Sequence, residues 1–333
     1  MTHDLSGDAV QHRSGASAVA LSDEDLVAYD ALGTAVVCFE STNRWISFRG
    51  EKAADALNGL VTNDVAALQA GEVLYAAALS PKGKVAADMH VLRVDENTFL
   101  TSVSPAAAEG WLALARKYVN PRLAKVADET DGHVTWMLCG GGAAAVVAAL
   151  TVASPSARVV RTPPVGESEC FMVLSDSASG NTVHDQLVAR NVVFGSAGLW
   201  EVLRVESGRP KWGVDMDEQT IPQEANLDTL NAISFSKGCY TGQETVARLH
   251  FRGHVNRQLR GLRAVEPLSR GTTLTDVNGK DVGDVRSVAV SPCYGAIALA
   301  MIRREVAIGD TVQLTVDGRQ QAARVVALPF ADG

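Results

Sequence analysis

Hydrophobic positions change their spacing along the chain, and the changes mark three regions. Residues 22–118 mix short strand-like runs with helix-like spacing. Residues 119–199 alternate short strands and helices in the order β-α-β-α-β, which is typical of a ferredoxin-like split βαβ unit. Beyond Val255, short β-prone runs are separated by turn signals such as Asn278-Gly279, which predicts a small barrel or sandwich. The pattern therefore predicts an α+β protein of several domains.

Helices are predicted where apolar residues recur at helical spacing behind a capping residue. Ser22 and Asp25 mark one helix start. Residues 105–118 form another predicted helix, and residues 199–206 a helix that returns toward the first region.

A β-hairpin is predicted in the first region, and it contains an aspartate. Runs 75–79 and 85–92 flank a turn at residues 80–84, and Asp88 lies within the second run. A carboxylate in an apolar strand costs several kcal/mol when it is buried without partners. Asp88 is therefore expected either to face solvent or to line a site. The glycines at 140–142 lack the lysine of a phosphate-binding loop, which favours a tight turn over a phosphate site.

Length and composition narrow the class of protein. The chain has 333 residues, of which 47% are hydrophobic and 20% charged, as in a globular protein of two or three domains. Its five cysteines include no C-x-x-C pair, so we expect neither a disulfide framework nor a zinc site. No apolar run is long enough to span a bilayer, and no signal peptide is apparent, so a cytoplasmic protein is expected. Residues 1–21 have few large apolar side chains and are predicted to be disordered.

The segment Lys237–Glu244, of sequence Lys-Gly-Cys-Tyr-Thr-Gly-Gln-Glu, concentrates its chemistry in Cys239. Thr241 and Glu244 have the spacing of a capping box, which predicts a helix beginning at Gly242. The helix end and Lys237 would both favour the thiolate form of Cys239. The alternative is that Cys239 is a small buried hydrophobic residue in a glycine-rich turn, as most isolated cysteines are.

A basic run follows this segment, on a chain whose net charge is −8. Residues 245–263 include five arginines and two histidines but no acidic residue. Such a run is either a local site for an anion or a solvated surface. The overall negative charge disfavours non-specific binding to nucleic acid, so direct RNA binding is not expected. His250 and His254 are spaced like zinc ligands, but Gly253 interrupts them, so we predict no metal site.

These residues carry a resemblance to a known family. The segment 237–244, followed by Arg-Gly-His-Val-Asn-Arg at 252–257, resembles the signature of YgfZ-type folate-binding proteins, which are relatives of the glycine-cleavage T-protein (aminomethyltransferase). The likeness covers roughly residues 22–330. Other segments that share it are Leu60-x-Thr62-Asn63-Asp64-Val65, Arg204-x-Glu206-x-Gly208-x-Pro210, Gly213-Val214-Asp215 and Ile221-Pro222-Gln223-Glu224.

The resemblance implies a three-domain clover-leaf around a central folate site. Residues 22–118 plus 200–250 would form the folate-binding domain, residues 119–199 the ferredoxin-like domain, and residues 251–333 a C-terminal β-barrel. It also implies tetrahydrofolate or a one-carbon derivative as the cofactor. Family members are linked to the maintenance of iron–sulfur proteins and, through these, to tRNA modification, so the expected partners are iron–sulfur client or assembly proteins. A monomer without membrane contact is expected.

The resemblance also suggests roles for individual residues. A pterin presents an amino group and a ring N–H side by side, which a carboxylate accepts as a bidentate pair. Glu206 matches the T-protein glutamate in that role, with an ion pair to Arg204 or Arg209 as the alternative. The remaining candidates are Tyr75, Trp212 and Tyr240, which would stack on the ring or else pack in the core, and Arg248 and Arg252, which would bind the glutamyl tail.

Asp88 marks a departure from the aminomethyltransferases, which carry an Asp-Asp pair where this chain has Ala87-Asp88, and which lack the cysteine segment. Both differences favour the YgfZ-type interpretation. The first hypothesis is thus a folate-dependent maintenance factor for iron–sulfur proteins, with Cys239 as the reactive residue. The second is an aminomethyltransferase or demethylase that acts on a small amine with Asp88 as its acid. The third is an RNA-binding module, which the acidic composition disfavours.

Overall fold

A computed structural model describes residues 20–166, 168–316 and 318–331. The predicted disorder of residues 1–21 falls almost entirely outside them. The α-helices of the described residues are α1 (Asp23–Ala31), α2 (Ala53–Asn58), α3 (Pro105–Tyr118), α4 (Ala143–Ala153), α5 (Gly180–Val188), α6 (Ala197–Glu206) and α7 (Gln243–Arg252). The strands are β1 (Val37–Glu40), β2 (Arg44–Arg49), β3 (Val73–Leu79), β4 (Val85–Asp95), β5 (Thr98–Val103), β6 (Lys125–Asp128), β7 (His133–Cys139), β8 (Arg158–Val165), β9 (Ser168–Asp176), β10 (Val193–Phe194), β11 (Arg257–Ala264), β12 (Thr273–Thr275), β13 (Asp281–Ser291), β14 (Gly295–Arg303), β15 (Thr311–Val316) and β16 (Arg319–Val326).

The first sheet has the strand order β3-β4-β5-β2-β6, and one of its faces is covered by α2 and α3. Trp111 of α3 is fully buried in that core, and its Nε1 donates to Thr101 Oγ1 at 2.9 Å. The predicted hairpin is confirmed, because β3 and β4 pair antiparallel with Ala77 opposite Asp88. The second face of this sheet is therefore left to contact the other domains.

The second sheet has the order β10-β1-β7-β9-β8, and α4 and α5 pack against it. Its helices and strands include the predicted β-α-β-α-β order as β7-α4-β9-α5-β10, and two more strands join the sheet: β1, which comes from the first region, and β8. Strand β8 was not predicted because it contains Pro163 and Pro164, and proline is normally excluded from the interior of a sheet. The structure accommodates both prolines because β8 lies at the sheet edge.

Two strands cross the division predicted near residue 119. Strand β1 lies between β10 and β7 in the second sheet, and β6 pairs with β2 in the first. The hydrophobic pattern predicts the β1 run as a strand but not the sheet that it joins, and it does not predict β6. The two domains are therefore interlocked through the chain.

The C-terminal region forms a closed barrel of order β11-β14-β13-β12-β15-β16, as predicted. Its interior is apolar and includes the fully buried Leu262, Val285 and Val325. Helix α6 packs on the outside of this barrel through Val202 and Val205. The fold is thus the three-domain arrangement expected from the sequence.

Cys139 and Cys170 are joined by a disulfide at facing positions of β7 and β9. The sequence argued against a disulfide framework and did not predict this single pair, because spacing along the chain does not show which cysteines meet across a sheet. Cys38, Cys239 and Cys293 are free. None of the described helices has the length and hydropathy needed to cross a membrane.

Candidate functional site

Strand alternation places three chemically active side chains on the second face of the first sheet. Residues 75, 88 and 90 point to that face, since Tyr75 lies opposite His90 and Ala77 opposite Asp88. Tyr75 Oη donates to Asp88 Oδ2 at 2.8 Å, and the rings of Tyr75 and His90 have centroids 5.2 Å apart. Ala87 points the other way, into the core with α3. An acid at position 87 would therefore be buried away from this cluster.

Burial changes the acidity of all three groups in the same way, by disfavouring charge. It raises the pKa of Asp88 from 3.8 to about 6. It raises the pKa of Tyr75 well above its ordinary value, and the neighbouring Asp88 carboxylate adds to this effect. It lowers the pKa of His90 to about 4, with the positive charge of Arg209 as a further cause. At neutral pH the cluster therefore holds a neutral imidazole, a phenol and a carboxylate that is readily protonated.

Arg204 of α6 connects this cluster to the barrel. Its Nη1 lies 2.8 Å from Asp215 Oδ2, its Nη2 lies 2.5 Å from Glu201 Oε1, and the same Nη2 donates to Ser287 Oγ at 2.6 Å. Asp215 is fully buried and also accepts from the amide of Ser287 on β13. The charge of Arg204 acts on both Asp88 and Tyr75. Arg204 thus pairs with Glu201 and Asp215, and the alternative ion pair between Glu206 and Arg204 is not formed.

Arg209 connects the cluster to the second sheet. Its Nη2 donates to the carbonyls of Pro163 and Pro164 on β8, at 2.8 and 2.6 Å. Burial lowers the pKa of Arg209. Since Arg204 contacts the barrel and Arg209 the second sheet, the Tyr75–Asp88–His90 cluster lies where the three domains meet.

The predicted ring-stacking residues differ in their surroundings. Tyr75 and Trp212 are half-buried and pack on the same apolar cluster, which contains Ala77 and Met216. The Nε1 of Trp212 is buried without a hydrogen-bond partner. Tyr240 is 8% exposed and belongs to the core of that cluster, which is the core-packing alternative.

Glu206 lies away from these residues. Its Oε1 accepts from Tyr29 Oη at 3.0 Å, and Ser291 of the barrel donates to the same carboxylate. Residues 204 and 206 lie about 200° apart around a helix, so the Glu206 carboxylate, which contacts Tyr29 and Ser291, points away from the Arg204 side chain, whose charge acts on Asp88. The structure does not bring the predicted pterin ligand together with Tyr75 and Asp88.

The cysteine segment adopts a different start of α7 from the one predicted. Gly242 precedes the helix with φ 81°, and no side chain caps it, so the predicted capping box of Thr241 and Glu244 is wrong. The left-handed conformation of Gly242 replaces the predicted N-cap. Cys239 is free and exposed, which excludes the alternative of a buried hydrophobic residue.

Lys237 anchors the cysteine segment to the first domain. Its side chain is 9% exposed, and its Nζ donates to the carbonyls of Asn58, Val61 and Asn63 at 2.6, 2.8 and 2.8 Å. Burial lowers the pKa of Lys237 to about 8. The three ammonium protons therefore have three backbone acceptors, and Lys237 is engaged there instead of serving only as a charge beside Cys239.

Arg248 and Arg252 are exposed in the second half of α7. Within the described part of the chain, neither forms an ion pair or a side-chain hydrogen bond, and neither contacts Asp88 or Tyr75. The glutamyl-tail role stays a prediction.

Sequence reasoning missed His90 and Arg209 as site residues. His90 follows Asp88 by two positions in a strand, which places both on one face, so strand alternation was the available signal. Arg209 lies in a loop, where no such periodicity applies. In the described residues, no group of three or more histidine, cysteine, aspartate or glutamate side chains is arranged to hold a metal.

Comparisons with known proteins agree with this architecture. The profile described as "GCVT N-terminal domain" matches residues 29–160, and the "Glycine cleavage T-protein C-terminal barrel domain" matches residues 257–332. The chain is 32% identical over 218 residues to the "tRNA-modifying protein YgfZ" of Escherichia fergusonii, covering 63% of this chain and 66% of that protein, just under two thirds. It is 28% identical to an aminomethyltransferase of Synechococcus, covering 86% of this chain and 84% of that protein.

The fold is also that of a solved relative. The structure of aminomethyltransferase T from Bartonella henselae superposes with a TM-score of 0.82 and 22% identity, covering 92% of this chain and 88% of that one. The two domain profiles together match more than half of the chain and leave the middle region between them. The chain belongs to the glycine-cleavage T-protein family, with YgfZ-type proteins and aminomethyltransferases among its relatives.

Proposed function

We propose that the chain binds tetrahydrofolate, or a one-carbon derivative of it, at the Tyr75–Asp88–His90 cluster. The observation that carries this proposal is a half-buried carboxylate, Asp88, held by Tyr75 at the meeting point of three domains. Ligand sites form preferentially where domains meet and where a few polar groups converge among apolar ones.

The residues present fit a reduced pterin. Its adjacent amino and ring N–H groups need a carboxylate acceptor, and Asp88 supplies one. The flat ring fits beside the aromatic pair of Tyr75 and His90. The unpartnered indole N–H of Trp212 supplies a donor for a ring oxygen or nitrogen. When bound, the folate would carry the one-carbon unit, while this chain's residues would orient it, with the ionised Asp88 accepting from the two pterin N–H groups.

Calorimetric titration with tetrahydrofolate tests the proposal. We expect wild type to bind, and Asp88→Asn to weaken binding about tenfold or more, because the acceptor for two N–H groups loses its charge. Glu206→Gln is the matched control, since that carboxylate faces Tyr29 and the barrel. If the Glu206 variant loses binding and the Asp88 variant does not, the folate site would have to be assigned to the side of α6 that carries Glu206. Absence of binding by wild type would overturn the proposal.

We further propose that folate binding supports the assembly or repair of iron–sulfur proteins, and through them tRNA modification, with Cys239 as the reactive residue. The name of the YgfZ-type relatives supports the link to tRNA modification, and the exposure of Cys239 supports its role as the reactive residue. In a strain from which the gene for this protein has been deleted, expression of the wild-type chain should restore the activity of iron–sulfur enzymes. Expression of the Cys239→Ala variant should not restore it. Full restoration by Cys239→Ala would remove the cysteine from the mechanism.

An aminomethyltransferase or demethylase activity on a small amine is the second candidate. It is supported by the aminomethyltransferase relatives and by the raised pKa of Asp88, which suits a group that must give up a proton near neutrality. Incubation with tetrahydrofolate and an aminomethyl or N-methyl donor should then yield methylenetetrahydrofolate. No product would exclude this activity. The cytoplasmic location and the monomeric state stay predictions.

A further inference from the structure

The exposed end of α7 forms a surface that the folate site does not use. We call it the basic–aromatic patch, and define it by Arg248, His250, Phe251, Arg252 and His254, all of which are exposed. Phe251 is 69% exposed. No ion pair involves either arginine among the residues that the structure describes. On a chain of net charge −8, these cations stand without the acids that neutralise most surface charges.

Aromatic rings give this patch a fixed shape. Phe235 stacks on His250 with centroids 3.6 Å apart and planes at 14°, and His250 meets Phe251 edge-on at 4.8 Å. Because Phe235 precedes Cys239 by four residues, the cysteine segment runs back along α7 from the patch toward the helix start. The exposed Cys239 therefore lies on the chain segment that is docked to the patch.

The helix dipole explains only part of this arrangement. Basic residues in a last turn stabilise a helix, which accounts for Arg252. It does not account for an aromatic row that ends in an exposed phenylalanine between two unpaired arginines. Aromatic and arginine side chains together are the residues that contribute most to protein–protein binding.

We propose that the basic–aromatic patch docks an acidic surface of a partner protein, and that this docking is independent of folate binding. Carboxylates of the partner would pair with Arg248 and Arg252, and an apolar side chain would cover Phe251. A glutamyl tail offers the carboxylates but nothing apolar for Phe251. Nucleic acid requires cations along a longer track than one helix end, and the chain is acidic overall.

Fluorescence anisotropy with a labelled synthetic peptide of glutamates and interspersed leucines tests this surface. We expect wild type to bind the peptide, and Arg248→Glu with Arg252→Glu to weaken binding about tenfold or more. Phe251→Ser should weaken it several-fold without changing the charge. Arg116→Glu with Arg122→Glu is the matched control, because both are exposed and form no ion pair with a described residue, and Arg116 also lies in a last helical turn.

Three kinds of result would overturn the proposal. The first is no binding by wild type, or equal weakening in the control variant. The second is tighter binding of a single-stranded RNA that the same charge reversal abolishes, which would assign the patch to nucleic acid. The third is a charge reversal that weakens only polyglutamylated tetrahydrofolate, which would assign the patch to the cofactor's tail. Retained binding of monoglutamyl tetrahydrofolate in the patch variant shows that the variant is folded and keeps the two proposals separate.

Discussion

At the residue scale, the central fact is a carboxylate held where its charge is costly. Asp88 has one hydroxyl donor, Tyr75, and burial opposes its ionisation. Such a group is typically retained because the side chain contacts a ligand, since an apolar residue at the same position would give a higher free energy of unfolding. Stability and binding should therefore respond in opposite directions to its removal.

Asp88→Asn should stabilise the free protein above pH 6. The folded pKa of about 6 exceeds the unfolded value near 3.8, so the wild-type contribution is fully present below pH 4 and is lost as pH rises through 6. A tenfold change in proton affinity is about 1.4 kcal/mol, and solvent screening reduces the effect at a half-buried site, so we expect about 1 kcal/mol. Urea unfolding at several pH values measures it. An equal gain from Asp131→Asn, an exposed aspartate, would contradict this explanation.

Lys237→Met should destabilise the protein by about 3 kcal/mol, because three backbone carbonyls, of which that of Val61 is buried and the other two are partly buried, lose their donor. The expected loss is largest for folding of the cysteine segment onto the first domain. Denaturant unfolding gives the free energy of unfolding, and proteolysis around residue 239 reports the local effect. Lys84→Met is the control, since Lys84 Nζ donates to a single carbonyl, that of Gln219. Similar losses in both variants would refute an anchoring role.

At the element scale, the start of α7 rests on the β3–β4 hairpin. A Cβ on Gly242 would lie 2.6 Å from the carbonyl oxygen of Ser80, and a Cβ on Gly83 would lie 2.6 Å from the Thr245 side chain. The hairpin that carries Asp88 and the helix that follows Cys239 are thus packed backbone to backbone. A displacement of the β3–β4 hairpin should therefore displace the start of α7, and the reverse.

Gly242→Ala should destabilise the protein by more than the left-handed backbone conformation of this residue alone explains. Gly279 has φ +80°, nearly the same as Gly242 at +81°, but a Cβ there meets nothing within 4 Å. Gly279→Ala therefore measures the left-handed backbone, at about 1 kcal/mol, and we expect Gly242→Ala to cost about 2 kcal/mol more. Thermal and urea unfolding compare the two. Equal losses in the free energy of unfolding would mean that the β3–β4 hairpin can move aside to accommodate the Cβ at position 242 without destabilising the protein.

Sequence patterns predicted the elements better than their partners. The hairpin, the start of α1 at Ser22 and the barrel follow from periodicity and turn chemistry, which are local. Strand β8 was missed because its edge position, which tolerates Pro163 and Pro164, is a tertiary property. The hydrogen-bond partners of Glu206, Tyr29 and Ser291, depend on which side of α6 packs on the barrel, and this too is a tertiary property. Anchoring by Lys237 depends on carbonyls about 175 residues away, to which no sequence spacing points.

At the scale of the whole molecule, Arg204 and Arg209 hold the three domains around the cluster. Arg204 bonds to Ser287 of the barrel and to Asp215, and Arg209 bonds to the edge strand β8. The site is therefore assembled by contacts that do not belong to any one domain. Its geometry should depend on the interfaces as much as on its own residues.

Arg204→Met should destabilise the protein by about 3 kcal/mol or more, because it leaves the fully buried Asp215 without its cation. Adding Asp215→Asn should recover part of that loss, since the uncompensated charge is removed. Denaturant unfolding of the single and double variants measures both effects. The explanation fails if Arg204→Met costs no more than Arg116→Met, an exposed arginine outside the network.

The exchange of β1 and β6 between the two sheets has a consequence for protein synthesis. On the ribosome, the first sheet can close once residue 128 has emerged, but β1, whose Val37, Cys38 and Phe39 are buried in the mature fold, must wait for β7 and β10. For more than 90 residues of elongation, that apolar strand has neither of its final neighbours. The newly made chain should therefore depend on chaperones through this interval. If translation stalls after β6 and before β7, β1 would stay exposed and prone to aggregation.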